Sequence, residues 1–186
     1  MAPGPAFHFD LGSPEGYLAA ERVLRIMPVA TPWVPVLERD LGGGAGGTVD
    51  REDVERRARA AGLQPLRWPE PFPFDSERAM LAATYARSIG RVAPFALAAF
   101  RQAFAGGHAL ETDDAVVIAG AACEMHPKAL LAGAATRAAR EALERETALA
   151  AERGVRETPA VWVPGAGVFA GPDCLERAAA CCGSAA

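Results

Sequence analysis

Phe7, Phe9 and Leu11 alternate with His8 and Asp10 along Ala6 to Leu11, and this period of two predicts a β-strand with one apolar face. Gly12-Ser13-Pro14 interrupts the alternation. Beyond it Tyr17, Leu18, Val23, Leu24 and Met27 recur at helical spacing, with Ser13 at the N-cap position, Pro14 at the first helical position and Glu15 in the first turn. The first strand therefore delivers Ser13 to a helix N-terminus. Trp33 to Leu37 predicts a short second strand, in which Pro35 requires an edge position or a bulge. Asp50 to Ala61 predicts a charged helix closed by Gly62, and Trp68 to Phe74 must be extended because its three prolines forbid a helix.

Helical periodicity resumes at Ser76. The segments Ser76–Ile89, Arg91–Ala105, Asp113–Ala122 and Pro127–Ala132 are separated by Gly90-Arg91, Gly106-Gly107 and Met125-His126-Pro127. Thr136 to Arg153 predicts a long helix with Ala139, Ala142, Leu143 and Leu149 facing inward, a Glu141–Arg145 pair one turn apart, and Gly154 as its stop. Ala160–Val163 and Val168–Phe169 predict two short strands around a Pro164-Gly165 turn, and Asp173 to Cys182 a last helix. The order is βαβ, a helical block, then αββα. This predicts one α/β domain over residues 1–186, with a thioredoxin-like core at about 5–75 and 134–183 and an all-helical insertion at about 76–133.

Composition narrows the function classes. Of 186 residues, 51% are hydrophobic, but 42 are Ala, so large apolar side chains are fewer than the fraction implies and a helix-rich protein is expected. The net charge of −4 comes from 18 Arg and a single Lys among 23 acids, with no basic stripe to follow a phosphate backbone, which argues against nucleic-acid binding. No apolar run approaches the ~20 residues of a membrane span, and MAPGPAFHFD lacks the features of a secretory signal, so a cytoplasmic protein is expected. The Gly-rich run Gly42–Gly47 lacks the lysine and hydroxyl of a phosphate loop and reads as a flexible connection. Cys123, Cys174, Cys181 and Cys182 form no CxxC and no zinc-ligand spacing, so no metal is expected. Cys181 and Cys182 would point about 100° apart on a helix, one thiol buried and one exposed, with a redox sensor as the other reading.

Four segments carry a resemblance: FHFDLGSPEGYLA (Phe7–Ala19), WPEPFPFDS (Trp68–Ser76), ERGVRETPAVWV (Glu152–Val163) and FAGPDCLE (Phe169–Glu176). Together with the Asp53–Leu63 helix they are similar to the 2-hydroxychromene-2-carboxylate isomerase family, a relative of kappa-class glutathione transferases and, more distantly, of DsbA-like oxidoreductases. The resemblance spans nearly the whole chain. It implies a thioredoxin core with a helical insertion, a bound glutathione or another low-molecular-weight thiol, an aromatic substrate and a homodimer. Position by position, Ser13 matches the serine that contacts the glutathione sulfur. Thr158-Pro159 matches the residue and cis-proline whose backbone pairs with the cysteinyl part, and Pro172-Asp173 the pair that holds the γ-glutamyl end. His8 and Glu15 stand where aromatic residues are usual, and the loop after the second strand is shortened.

The residues themselves bear on the chemistry. With Ser at 13 and Gly at 16, the segment SPEG cannot form a CxxC disulfide, so reactive sulfur has to come from a bound thiol. A thiolate there would be stabilised by unpaired helix N–H groups and by the Ser13 hydroxyl. The plain alternative for Ser13 is an N-cap. His8 and Tyr17 are further candidates, His8 as an acid or base or as a structural hydrogen-bonder. Trp68, Phe72 and Phe74 either line an apolar substrate pocket or seal the insertion onto the core. Asp173 either meets a ligand ammonium or caps the last helix. A thiol-dependent isomerase or transferase is the leading expectation; a thioredoxin-fold binding protein without efficient catalysis and a DsbA-like oxidoreductase are the alternatives.

Overall fold

The computed structural model describes residues 4–43 and 49–183. Its frame is a four-stranded sheet in the order β2-β1-β3-β4, built from β1 (Ala6–Phe9), β2 (Trp33–Pro35), β3 (Ala160–Val163) and β4 (Gly167–Ala170). β1 runs parallel to β2 and antiparallel to β3, which in turn pairs antiparallel with β4. Every residue of β1 is buried, because this strand is central and covered on both faces. β2 is an edge strand and Pro35 is its last residue, so the missing N–H breaks no ladder.

Nine α-helices are present among the described residues: α1 (Pro14–Ala20), α2 (Val23–Ile26), α3 (Arg51–Ala60), α4 (Glu77–Ser88), α5 (Val92–Phe104), α6 (Asp113–Ala121), α7 (Pro127–Ala134), α8 (Arg137–Glu152) and α9 (Cys174–Gly183). Phe7 and Phe9 on one face of β1 join Phe100, Phe104, Leu143 and Leu175 in a single hydrophobic cluster. The helical block and the sheet therefore share one core. A smaller cluster of Ala6, Val34, Val36, Ala150 and Ala160 fills the space between the other face of the sheet and α8. The many alanines are used for close approach: Ala79, Ala82, Ala83 and Ala86 of α4 are all essentially buried. At Gly133 of α7 even a β-carbon would lie 2.3 Å from the Tyr85 ring.

Several local expectations need correction. The helix predicted from Pro14 to Met27 is two helices, broken at Glu21-Arg22, where the Arg22 side chain bonds the Leu18 and Pro172 carbonyls and Glu176. After the break Val23 is buried while Leu24 is 77% exposed, so Leu24 is not a core residue. On α8 the inward positions are Ala139, Leu143, Thr147 and Ala150. Leu149 faces out because Thr147 takes an inward place, accepting the Leu37 N–H at 3.0 Å. Glu141 pairs with Arg137 at 2.6 Å, in place of the expected Arg145. Cys181 and Cys182 are both half-buried, and all four cysteines are free. The connection expected at Gly42–Gly47 falls largely on residues 44–48, outside the described residues.

Candidate functional site

The turn from β1 into α1 is built by two polar side chains. Asp10, buried at the end of β1, accepts the Gly12 N–H at 2.8 Å through Oδ1 and the Glu38 N–H at 2.9 Å through Oδ2. The Ser76 hydroxyl also bonds it, yet burial still pushes the Asp10 carboxyl above its usual range. Asp10 thus ties the loop before Ser13 to the turn after β2. Ser13 then caps α1: its Oγ accepts the Gly16 N–H at 3.1 Å. The same hydroxyl donates to the Thr158 carbonyl at 3.1 Å. Ser13 and Thr158, 145 residues apart in the chain, meet at one buried hydroxyl.

The Thr158-Pro159 peptide is cis, in accord with the sequence reading, and leads directly into β3. The Pro159 carbonyl accepts the Gly171 N–H at 3.2 Å, which sets the loop Gly171-Pro172-Asp173 beside it. Pro172 is held from the other side by Arg22, at 3.1 Å. Ser13, Thr158-Pro159 and Pro172-Asp173 are thus linked at one end of the sheet. The Asp173 carboxylate itself is exposed and pairs with Arg177 at 3.3 Å, one turn into α9.

Against the flank of α1 lies a cavity of about 350 Å³, bordered by Glu15, Arg22, Arg25, Arg57 and Pro172. Glu15 forms a forked pair with Arg57 of α3, with Nη1 to Oε2 at 2.6 Å, and Arg57 Nε also holds Asp53 at 2.6 Å. The carboxylate in the first turn of α1 is therefore neutralised by a cation from another helix. That pairing reduces the repulsion Glu15 would exert on an anion at Ser13.

None of the four expected pocket residues borders this cavity. Tyr17 is 2% exposed and packs between Phe100 and Phe104, with ring centroids at 6.4 and 6.0 Å. It is a core residue, because α1 turns that face toward α5. His8 points to the opposite face of the sheet, beside its register partners Val34 and Ala160 in the cluster under α8. Its Nδ1 has no hydrogen-bond partner, and burial, reinforced by Arg153, lowers its pKa to about 4. The alternation of the strand turns His8 to the face opposite Phe7 and Phe9, against which α1 and the helical block pack. Trp68 and Phe72 stack edge-on at 5.0 Å, both contact Phe104, and Arg51 lies over both rings. Trp68 donates to Glu55 at 2.7 Å. They seal α3 and the extended segment onto the insertion and do not border the cavity at α1.

The sequence reading missed Asp10, Arg57 and Glu38. Asp10 carried a local signal, a carboxylate in an otherwise apolar strand end. Glu38 and Arg57 carried none, since each acquires its partner from a distant segment. Glu38, in a one-turn 3₁₀ helix after β2, accepts the Thr158 N–H at 3.2 Å and the Thr158 hydroxyl on the same Oε2. Burial raises its pKa, with Asp10 and Glu157 adding to the effect. Among the described residues, no three His, Cys, Asp or Glu side chains are grouped to hold a metal ion, and no helix is long and apolar enough to cross a membrane.

Comparison of the fold with solved structures gives close matches at low sequence identity. A 2-hydroxychromene-2-carboxylate isomerase superposes with a TM-score of 0.84 at 20% identity, covering 97% of this chain and 95% of that one. The cytosolic disulfide reductase DsbM from Pseudomonas aeruginosa superposes with a TM-score of 0.68 at 14% identity, covering 98% and 99%, and its structure with GSH scores 0.69. SrgA from Salmonella enterica serovar Typhimurium follows at 0.62 and 16%, covering 97% and 90%. At these identities the likeness establishes the fold alone. A search of curated proteins finds no match. The sequence of residues 6–180 does match the family model of the DSBA-like thioredoxin domain, and the chain belongs to that family.

Proposed function

We propose that this protein is a glutathione-dependent isomerase of the 2-hydroxychromene-2-carboxylate isomerase type, acting in the cytoplasm on an aromatic carboxylate. The observation that carries this reading is the meeting of the Ser13 hydroxyl with the Thr158 main chain in a fold whose first helix has no cysteine at 13 or 16. A dithiol mechanism has no sulfur here. When bound, glutathione supplies a nucleophilic sulfur that adds to an unsaturated carbon and leaves again, so that the former double bond can rotate in between. In this reading the Ser13 hydroxyl donates a hydrogen bond to that sulfur, and the Thr158 N–H and carbonyl pair with the amide groups on either side of it. The residues fit such a ligand in a second respect. The cavity beside α1 is bordered by three arginines, of which Arg25 has no ion-pair partner within 4.0 Å among the described residues, and it can accept an anionic arm.

Titration calorimetry with glutathione, combined with a turnover assay on 2-hydroxychromene-2-carboxylate, tests the proposal. Binding together with glutathione-dependent turnover is expected. Binding without turnover would favour the binding-protein reading, and absence of both would overturn the proposal.

A further inference from the structure

Each polar group of Thr158 already has a partner within the chain. Its carbonyl accepts the Ser13 hydroxyl at 3.1 Å, its N–H donates to Glu38 Oε2 at 3.2 Å, and its own hydroxyl donates to that same oxygen. An oxygen of Glu38 thus stands where the carbonyl oxygen of a docked amide would stand, and the Ser13 hydroxyl stands where the amide N–H would.

The backbone under Glu38 is held independently of this contact. The Glu38 N–H is fixed by Asp10, and the 3₁₀ turn that follows is closed by the Leu41 N–H on the Glu38 carbonyl at 3.1 Å. The side chain can therefore swing away without moving the loop. It also has reasons to leave: Glu38 is half-buried with Asp10 and Glu157 near it, so its charge is poorly solvated and faces like charge. An anionic sulfur at Ser13 would add a further negative charge beside it.

Building on the small-thiol reading above, we propose that Glu38 is a displaceable internal ligand of the Thr158 edge, which an incoming thiol must replace with its own amide carbonyl. The exchange is coupled to Ser13. When the ligand N–H takes the Thr158 carbonyl, it competes with the Ser13 hydroxyl for that oxygen, which weakens the internal bond and frees the Ser13 proton to turn toward the sulfur. The site consequently selects thiols whose sulfur is flanked by amide groups, acylated cysteines of the glutathione kind. A simple thiol cannot replace either bond and leaves Ser13 facing Thr158. Glu38 is a specificity-determining residue that acts through Thr158 and Ser13.

The test measures affinity, using S-methylglutathione so that ionisation of the thiol plays no part. Removing the competing acceptor in Glu38→Ala is expected to tighten binding of S-methylglutathione by about 10- to 150-fold, the equivalent of one hydrogen bond to a charged group. Affinity for 2-mercaptoethanol should be unaltered. Glu38→Gln, which keeps the reach of the side chain but replaces the charge with a weaker acceptor, should give an increase of about 2- to 5-fold. This variant carries the comparison if the alanine variant does not fold. If the wild-type protein binds glutathione and the folded Glu38 variants bind S-methylglutathione no more tightly, Glu38 is not a competitor and the proposal is overturned while the thiol reading stands. If glutathione binds neither the wild-type protein nor the variants, both are overturned.

Discussion

Ser13 shows how one side chain can satisfy two readings at once. Its hydroxyl oxygen accepts the Gly16 N–H and its hydrogen is donated to Thr158, so capping and the candidate site use different halves of the same group. Ser13→Ala is expected to cost about 1 kcal/mol of stability in chemical denaturation, the usual value of an N-cap, and to lower turnover by roughly ten- to a thousandfold through loss of the donor to sulfur. Retention of full turnover with the stability loss would leave Ser13 a cap only. His8 makes a different kind of prediction. Its folded-state pKa of about 4 lies below the ordinary value of 6.5, so between those pH values the unfolded chain binds a proton that the folded chain refuses. Stability should therefore fall as pH drops from about 6.5 toward 4, by up to about 1.4 kcal/mol per pH unit from this group. Asp10 and Glu38 act in the opposite sense, because their raised values make the folded state take up protons first. Denaturation curves of His8→Leu across this range should lose the His8 slope and retain the opposing one.

At the scale of elements, α1 is held at both ends by charge. Arg101 of α5 grips Glu21 after its last turn, at 2.6 Å through Nε, and Arg57 of α3 grips Glu15 in its first. The second contact has a chemical consequence, since it decides whether the first turn of α1 presents net negative charge to an anion. In Arg57→Gln the Glu15 carboxylate is left uncompensated. The pH at which bound glutathione develops thiolate absorbance should then move upward relative to wild type, and an unchanged titration would mean that Glu15 lies too far from the sulfur to matter. The Asp173–Arg177 pair, by contrast, is exposed and one turn apart, an arrangement worth only a few tenths of a kcal/mol. Asp173→Ala should therefore barely change the melting temperature. Weaker glutathione binding in that variant would assign Asp173 to the γ-glutamyl ammonium.

Across the whole molecule, Phe104 joins the helical block to α1 and to the extended segment, its ring contacting Tyr17, Trp68, Phe72 and Phe74, while Phe100 one turn earlier meets Phe9 of the sheet. Phe104→Ala should destabilise the protein by about 3–5 kcal/mol in equilibrium unfolding, the range for a buried aromatic truncated to alanine. Separate transitions for the two halves would show that they do not share one core. The alternation of Phe7 and Phe9, the Ser13-Pro14 helix start, the prolines of Trp68 to Phe74 and the order of strands and helices were all legible in the chain, because each depends on neighbours within one or two turns. The same local information established that positions 13 and 16 hold no redox pair. It misplaced Leu24, Leu149 and the partner of Glu141, since which side of a helix is buried depends on where its neighbours pack. The distant partners of Glu38, Asp10 and Arg57, namely Thr158, the Glu38 N–H and Glu15, were decided only in three dimensions. Glu38 and Thr158 are 120 residues apart, and no propensity or spacing along the chain encodes that a carboxylate after the second strand will come to rest on the main chain ahead of the third.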